Sequence, residues 1–230
     1  MLEIVHQDDD LVVINKPPGL LVHRSPIARD VSEFAVQQLR NQLDIHVYPA
    51  HRLDRKTSGC LLFALNEPTH KLLQQQFAEK TTEKIYYAIV RGYTQANATI
   101  DYALKREDGK LQDAITHYET IAQTEVDVPF GKHATSRYSL VRVRPETGRM
   151  HQIRKHFAHI LHPIIGDRPH GCNKQNRLFK ERWQLEQMML HAAALTITHP
   201  TTNEKLTFRS AFHTEFKRIA QTLNLDLPNF

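Results

Sequence analysis

Residues 59–65, Gly-Cys-Leu-Leu-Phe-Ala-Leu, form an apolar run that follows a Ser-Gly turn. The run is too short for a helix and predicts a strand buried on both faces. Immediately before it stands His51-Arg52-Leu53-Asp54-Arg55-Lys56, with four basic or potentially basic side chains around one carboxylate. A charge-dense loop is thus expected at the mouth of a rigid strand, where fixed catalytic geometry is commonly built. The cations around Asp54 favour its anionic form. A weak surface salt-bridge loop accounts for the same residues equally well, so the rest of the chain has to decide.

The chain has 230 residues, of which 40% are hydrophobic, enough for a sizeable core. No linker is long enough to divide two domains, and a single domain over 1–230 is expected. No apolar run approaches the roughly 20 residues that span a bilayer. The acidic start, MLEIVHQDDD, lacks the basic region of a signal peptide. Cys60 and Cys172 form no CxxC pair. A reduced, cytoplasmic protein is the simple expectation. Formal net charge is +5 with 15 histidines beyond that, which suggests a polyanionic partner.

Along the chain, LEIV and LVVIN predict a hairpin, and Lys16-Pro17-Pro18-Gly19 then turns the backbone. Lys16 reads equally as an edge-strand lysine or as a phosphate contact. Asp30-Val31-Ser32-Glu33 forms a capping box for a helix to about Leu43. Asn66-Glu67-Pro68 opens a second helix with Leu72, Leu73 and Phe77 inward. Residues 84–90 alternate as a strand with Tyr86 and Tyr87 on opposite faces. Segment 94–114 reads as irregular, 114–122 and 137–144 as strands, and Arg142 and Arg144 make one face of the latter basic. Met150, Ile153, Phe157 and Ile160 predict a helix over 149–161, with Thr147 as N-cap and His151 near Arg154 on its polar side. Residues 172–187 read as a surface insert, followed by a strand hairpin and a last helix carrying Phe212, Phe216, Ile219 and Leu223. The mix predicts an α+β fold with a mainly antiparallel sheet flanked by helices and loops.

A metal site built on His151, His156, His159, His162, His170 and Cys172 is disfavoured, because no H-E-x-x-H or CxxC signature accompanies them. Phosphate-binding glycine loops and the G-x-S-x-G elbow are absent as well. One carboxylate, arginines, a tyrosine and a basic surround suit chemistry on a base within RNA, though no spacing makes that unique.

The motifs narrow it. His51-Arg52-Leu53-Asp54 followed by Thr57-Ser58-Gly59 resembles the catalytic motif of the RluA family of pseudouridine synthases. In matching order come Asn15-Lys16-Pro17-Pro18-Gly19, the K-x-Y motif Lys84-Ile85-Tyr86, and Thr147-Gly148-Arg149-Met150-His151-Gln152-Ile153-Arg154. His162-Pro163-Ile164-Ile165-Gly166-Asp167 and Leu190-His191-Ala192 follow. His170 stands where many relatives carry tyrosine. No N-terminal S4-like extension of the kind some relatives carry is seen. The resemblance implies the pseudouridine synthase fold, with a mixed central sheet. Within the family a narrower resemblance, carried by the compact length, Leu21-Val22-His23-Arg24-Ser25 and Gly166-Asp167-Arg168-Pro169-His170-Gly171, implies isomerisation of uridine at position 65 of certain tRNAs. That redox-neutral isomerisation needs no cofactor, and a monomer without metal or membrane is expected. The family resemblance implies Asp54 as the catalytic carboxylate, acting on ribose or base. Arg52 would fill the space left by the flipped uridine, Tyr86 would stack on the base, and Arg154 would pair with Asp54. An rRNA-directed relative and a non-catalytic RNA-binding protein of the same fold are the alternatives.

Overall fold

The computed structural model describes residues 1–23 and 33–229. In chain order the elements are β1 (Glu3–Gln7), β2 (Leu11–Lys16), α1 (Ala35–Leu43), β3 (Tyr48–Pro49), β4 (Ser58–Ala64), α2 (Glu67–Glu79) and β5 (Glu83–Arg91). They continue with β6 (Asn97–Asp101), β7 (Leu104–Lys105), β8 (Leu111–Gln112), β9 (Ile115–Val126), β10 (Ser136–Pro145), α3 (Gln152–His159) and α4 (Asn173–Trp183). β11 (Leu190–Thr198), β12 (Lys205–Arg209) and α5 (Thr214–Thr222) complete the chain. Pairing is mainly antiparallel, as the α+β reading expects. The chain forms two compact units, one of Met1–Lys84 with Ala192–Ala211, the other of Ile85–His191 with Phe212–Asn229.

In the first unit β4 is the central strand, and all seven of its residues are buried. It pairs with β2, placing Asn15 opposite Cys60 and Lys16 opposite Gly59. Cys60, Leu62 and Ala64 point into a core with Leu11, Val13, Leu73, Leu195, Ile197 and Phe208. The absence of polar alternation in its sequence has this cause, since neither face meets water. Gly59 is required: its φ is +112°, and a Cβ there would lie 2.1 Å from the Ala192 carbonyl oxygen of β11. α2 begins as expected, with Asn66 Oδ1 accepting the Thr69 N–H at 2.9 Å. Leu73 is buried, but Leu72 is exposed and leaves the predicted apolar side. α1 starts at Ala35 with Phe34 as N-cap. Asp30, Val31 and Ser32 of the expected capping box lie outside the described residues.

The second unit is built on β5, β10, β9 and β6. Ala88, Val90, Val141 and Val143 share one face with Ile153 and Phe157 of α3. Several sequence expectations change here. The irregular 94–114 stretch contains β6 and the small β7–β8 hairpin. Residues 172–187 are not a surface insert: α4 occupies most of them, with Gln175 and Phe179 buried. Phe179 packs edge-on to Tyr138 at 5.2 Å, and Gln175 donates to the Tyr138 hydroxyl. Only two buried side chains on a highly charged helix leave too faint a stripe for periodicity to detect. α3 starts at Gln152, Met150 is exposed, and Thr147 is not its N-cap. Thr147 instead donates to Gln152 Oε1 at 2.6 Å and accepts the Ile115 N–H at 3.1 Å. The same Gln152 oxygen accepts the Arg149 N–H, so the pair fixes the turn from β10 into α3.

Candidate active site

Residues 50–57 link β3 to β4 and carry Arg52 and Asp54. Ala50 N–H donates to the Leu62 carbonyl at 3.0 Å, and the Leu62 N–H donates to His51 Nε2 at 3.1 Å. His51 also stacks on Phe77 with centroids 4.9 Å apart. Burial pushes its imidazole down to about 4, helped by the nearby Lys84 ammonium. His51 is therefore a neutral acceptor that anchors the loop, not one of the cations around Asp54. Leu53 is buried, Asp54 half-buried, and Arg52 and Arg55 exposed. The buried Leu53 side chain anchors the loop next to the half-buried Asp54. The Thr57 N–H closes the turn on the Asp54 carbonyl at 3.1 Å.

Lys16 departs from both sequence expectations, since it is neither an exposed edge lysine nor positioned for an external phosphate. Its side chain is completely buried. The ammonium donates to the carbonyls of Pro17 and Leu20, each at 2.9 Å, and of Arg55 at 3.2 Å. Arg55 returns the link: its Nε donates to the Gly19 carbonyl at 3.0 Å, and its own carbonyl accepts the Gly19 N–H at 2.8 Å. The proline-rich turn and the Asp54 loop are thereby clamped together. Burial pushes the Lys16 ammonium down to about 7, and the Asp54 carboxylate opposes that fall. A lysine buried against the Asp54 loop and brought near neutrality is a functional candidate.

In the second unit Tyr86 and Tyr87 face opposite ways, as the alternation requires. Tyr87 is buried edge-on to Phe212 at 5.5 Å. Tyr86 is half-buried and packs on the core cluster that contains Ile153 and Phe157 of α3. Arg154, one residue further along α3 than Ile153, is buried rather than on a polar surface. Its Nε and terminal nitrogen donate to the two oxygens of Asp167 at 2.8 and 2.7 Å. This two-pronged ion pair orients the guanidinium. In the sequence, the signal for Asp167 is its place in the Gly166-Asp167 turn, which by itself does not mark a site residue.

The histidines at 151, 156, 159, 162 and 170 each have other partners. His156 Nε2 meets the Tyr102 carbonyl at 3.0 Å, and His159 stacks on the Tyr102 ring at 3.6 Å. His162 Nδ1 meets the Arg91 carbonyl at 2.8 Å, and His151 Nδ1 meets His170 Nε2 at 2.9 Å. Among the described residues no three His, Cys, Asp or Glu side chains are grouped to hold a metal ion.

A family model described as RNA pseudouridylate synthase matches residues 10–159. The chain is 46% identical to the tRNA pseudouridine synthase C of Yersinia pestis, over 90% of this chain and 85% of that protein. It is 44% identical to the protein of the same name from Haemophilus ducreyi, over 100% of this chain and 98% of that one. Among solved structures, human RNA pseudouridylate synthase domain containing 4 superposes with a TM-score of 0.74 at 25% identity, covering 99% of this chain and 95% of that one. Human RNA pseudouridylate synthase domain containing 1 has the same fold, with a TM-score of 0.74 at 24% identity over 97% of this chain and 95% of that one.

Proposed function

The chain belongs to the RNA pseudouridylate synthase family, and from that premise we propose that it converts uridine to pseudouridine in tRNA, at position 65, with Asp54 as the catalytic carboxylate. The observation that supports this reading best is a half-buried carboxylate on a loop clamped to a second turn, at the end of a fully buried strand. The names of relatives 43–46% identical to the chain supply the RNA class.

Isomerisation breaks the bond from ribose C1′ to N1 of the base and forms one from C1′ to C5; C5 gives up its proton and N1 gains one. Asp54 serves as nucleophile or proton acceptor in that exchange. Arg52, exposed on the same loop, fills the space left by the flipped nucleotide. Tyr86 stacks on the base, a contact worth roughly 1–3 kcal/mol. Stacking and backbone contacts offset the few kcal/mol that flipping costs. Arg154, oriented by Asp167, is assigned as the cationic partner of Asp54. The reaction leaves the oxidation state of the base unchanged, so a redox cofactor has no part in it. The catalytic domain is taken as the whole chain, acting as a monomer in the cytoplasm.

Asp54→Asn removes the charge and keeps the shape. The variant should fold and bind tRNA but release no tritium from 5-³H-uridine in tRNA. Turnover near the wild-type rate would refute the assignment. Pseudouridine mapping in RNA from a deletion strain should show a loss at tRNA position 65, whereas a loss confined to rRNA would redirect the substrate reading.

A further inference from the structure

We propose that His151 and His170 share one proton and act as a positioning pair, holding the loop of residues 166–171 against the start of α3 so that Asp167 keeps Arg154 aimed. The inference rests on the proposed role of Arg154. Two links join this loop to the helix. One is the Arg154–Asp167 ion pair. The other is the contact between His151 Nδ1 and His170 Nε2 at 2.9 Å, with ring centroids 5.1 Å apart. His151 and Arg154 lie one helical turn apart, and Asp167 and His170 are spaced by three residues in the loop, so the links run side by side.

The second link falls where the backbone is unusual. His151 occupies the N-cap position of α3 with φ +57°, a left-handed conformation uncommon for a residue with a Cβ, and its side chain caps no helix N–H. The loop is also tightly held. Asn176 accepts the Gly166 N–H and donates to the Asp167 carbonyl, at 2.9 and 2.7 Å. A Cβ at Gly171 would lie 1.8 Å from that same carbonyl. The His170 N–H points to Asp167 Oδ1 at 3.4 Å, coupling the imidazole's backbone to the carboxylate that orients Arg154.

A hydrogen bond between two imidazoles needs one nitrogen to accept, so the doubly protonated pair cannot form it. The charged groups facing His170 are Asp167 from its own loop and Arg154, His151 and Lys155 from α3 and its start. Burial lowers the pKa of His170 and Asp167 opposes this, while Arg154, His151 and Lys155 add to the lowering. Acid should therefore break the link that neutral pH allows.

The test compares wild type, His170→Ala and His170→Tyr in the full-length protein. A tyrosine hydroxyl can donate to His151 and does not titrate below about pH 10. Below the ordinary histidine pKa of about 6.5, tritium release from tRNA should fall more steeply with acid in wild type than in His170→Tyr, which shares the titration of Lys16. His170→Ala should lower kcat at pH 7.5, and His170→Tyr should restore most of that loss. The ratio of His170→Tyr to wild-type activity should rise roughly threefold from pH 6.5 to pH 5, as acid places a second proton on the wild-type pair. Thermal denaturation should show stability falling with acid more steeply in wild type than in His170→Tyr, because the unfolded chain takes the histidine proton more readily. Superimposable pH profiles for both readouts, or full activity in His170→Ala, would overturn the pairing. If wild type released no tritium at any pH, the enzymatic reading would fail, and the denaturation comparison would still decide whether the pair shares its proton.

Discussion

The ammonium of Lys16 donates to the carbonyl oxygen of Arg55 at 3.2 Å, one residue beyond Asp54. The same ammonium holds the carbonyls of Pro17 and Leu20, so a single buried charge joins two loops distant in sequence. Lys16→Met keeps the length of the stem and removes all three donors. The burial penalty of the charge and its hydrogen bonds oppose one another. Global stability should accordingly move by less than about 2 kcal/mol, while kcat falls at least about tenfold, a barrier change of roughly 1.4 kcal/mol. Urea denaturation beside single-turnover kinetics measures both, and unchanged kcat would remove Lys16 from the site.

Titration of Lys16 gives two opposite signs. As pH rises through about 7 the side chain loses its proton, the clamp loses a donor, and Asp54 loses a neighbouring charge. Activity should fall on that limb in wild type, and Lys16→Met should lack the limb. Stability behaves otherwise. The folded pKa of about 7 lies below the ordinary 10.5, so over that interval the unfolded chain holds more protons. Unfolding free energy contributed by this group then rises with pH. Parallel decline of activity and stability above pH 7 would contradict the assignment.

Asp167→Ala leaves the buried Arg154 without the carboxylate that binds it at 2.7 Å. Breaking one side of such a pair costs roughly 3–5 kcal/mol. The double variant Arg154→Met, Asp167→Leu should recover part of that stability but no turnover. Chemical denaturation of the set measures this, and equal stability of wild type and Asp167→Ala would count against it.

Gly59→Ala places a methyl group 2.1 Å from the Ala192 carbonyl, on a backbone whose φ of +112° excludes side chains. The loss should exceed about 4 kcal/mol, with little soluble protein recovered. A soluble variant melting near wild type would show that β4 and β11 can separate there.

The formal charge of +5 predicts that tRNA affinity falls linearly in log–log plots against salt. Filter binding of Asp54→Asn from low to physiological salt measures the slope without turnover. A flat response would exclude phosphate contacts as the main source of affinity.

Much of the frame was legible in the chain. The run at 59–65 could only be a strand covered on both sides, and Asn66 could only begin a helix, because both signals are local and strong. The ordered motifs likewise identified the family. Tertiary structure decided the rest. Lys16 looked like a surface residue until three carbonyls from two loops closed over its ammonium. His51 looked like a cation until the Leu62 N–H and Phe77 took up its imidazole. Thr147 looked like a cap until Gln152 claimed its hydroxyl, and α4 stayed hidden because Gln175 and Phe179 were its only buried residues. In each case the side chain's chemistry was fixed by residue type, while its charge and partners depended on burial and on groups from elsewhere in the chain.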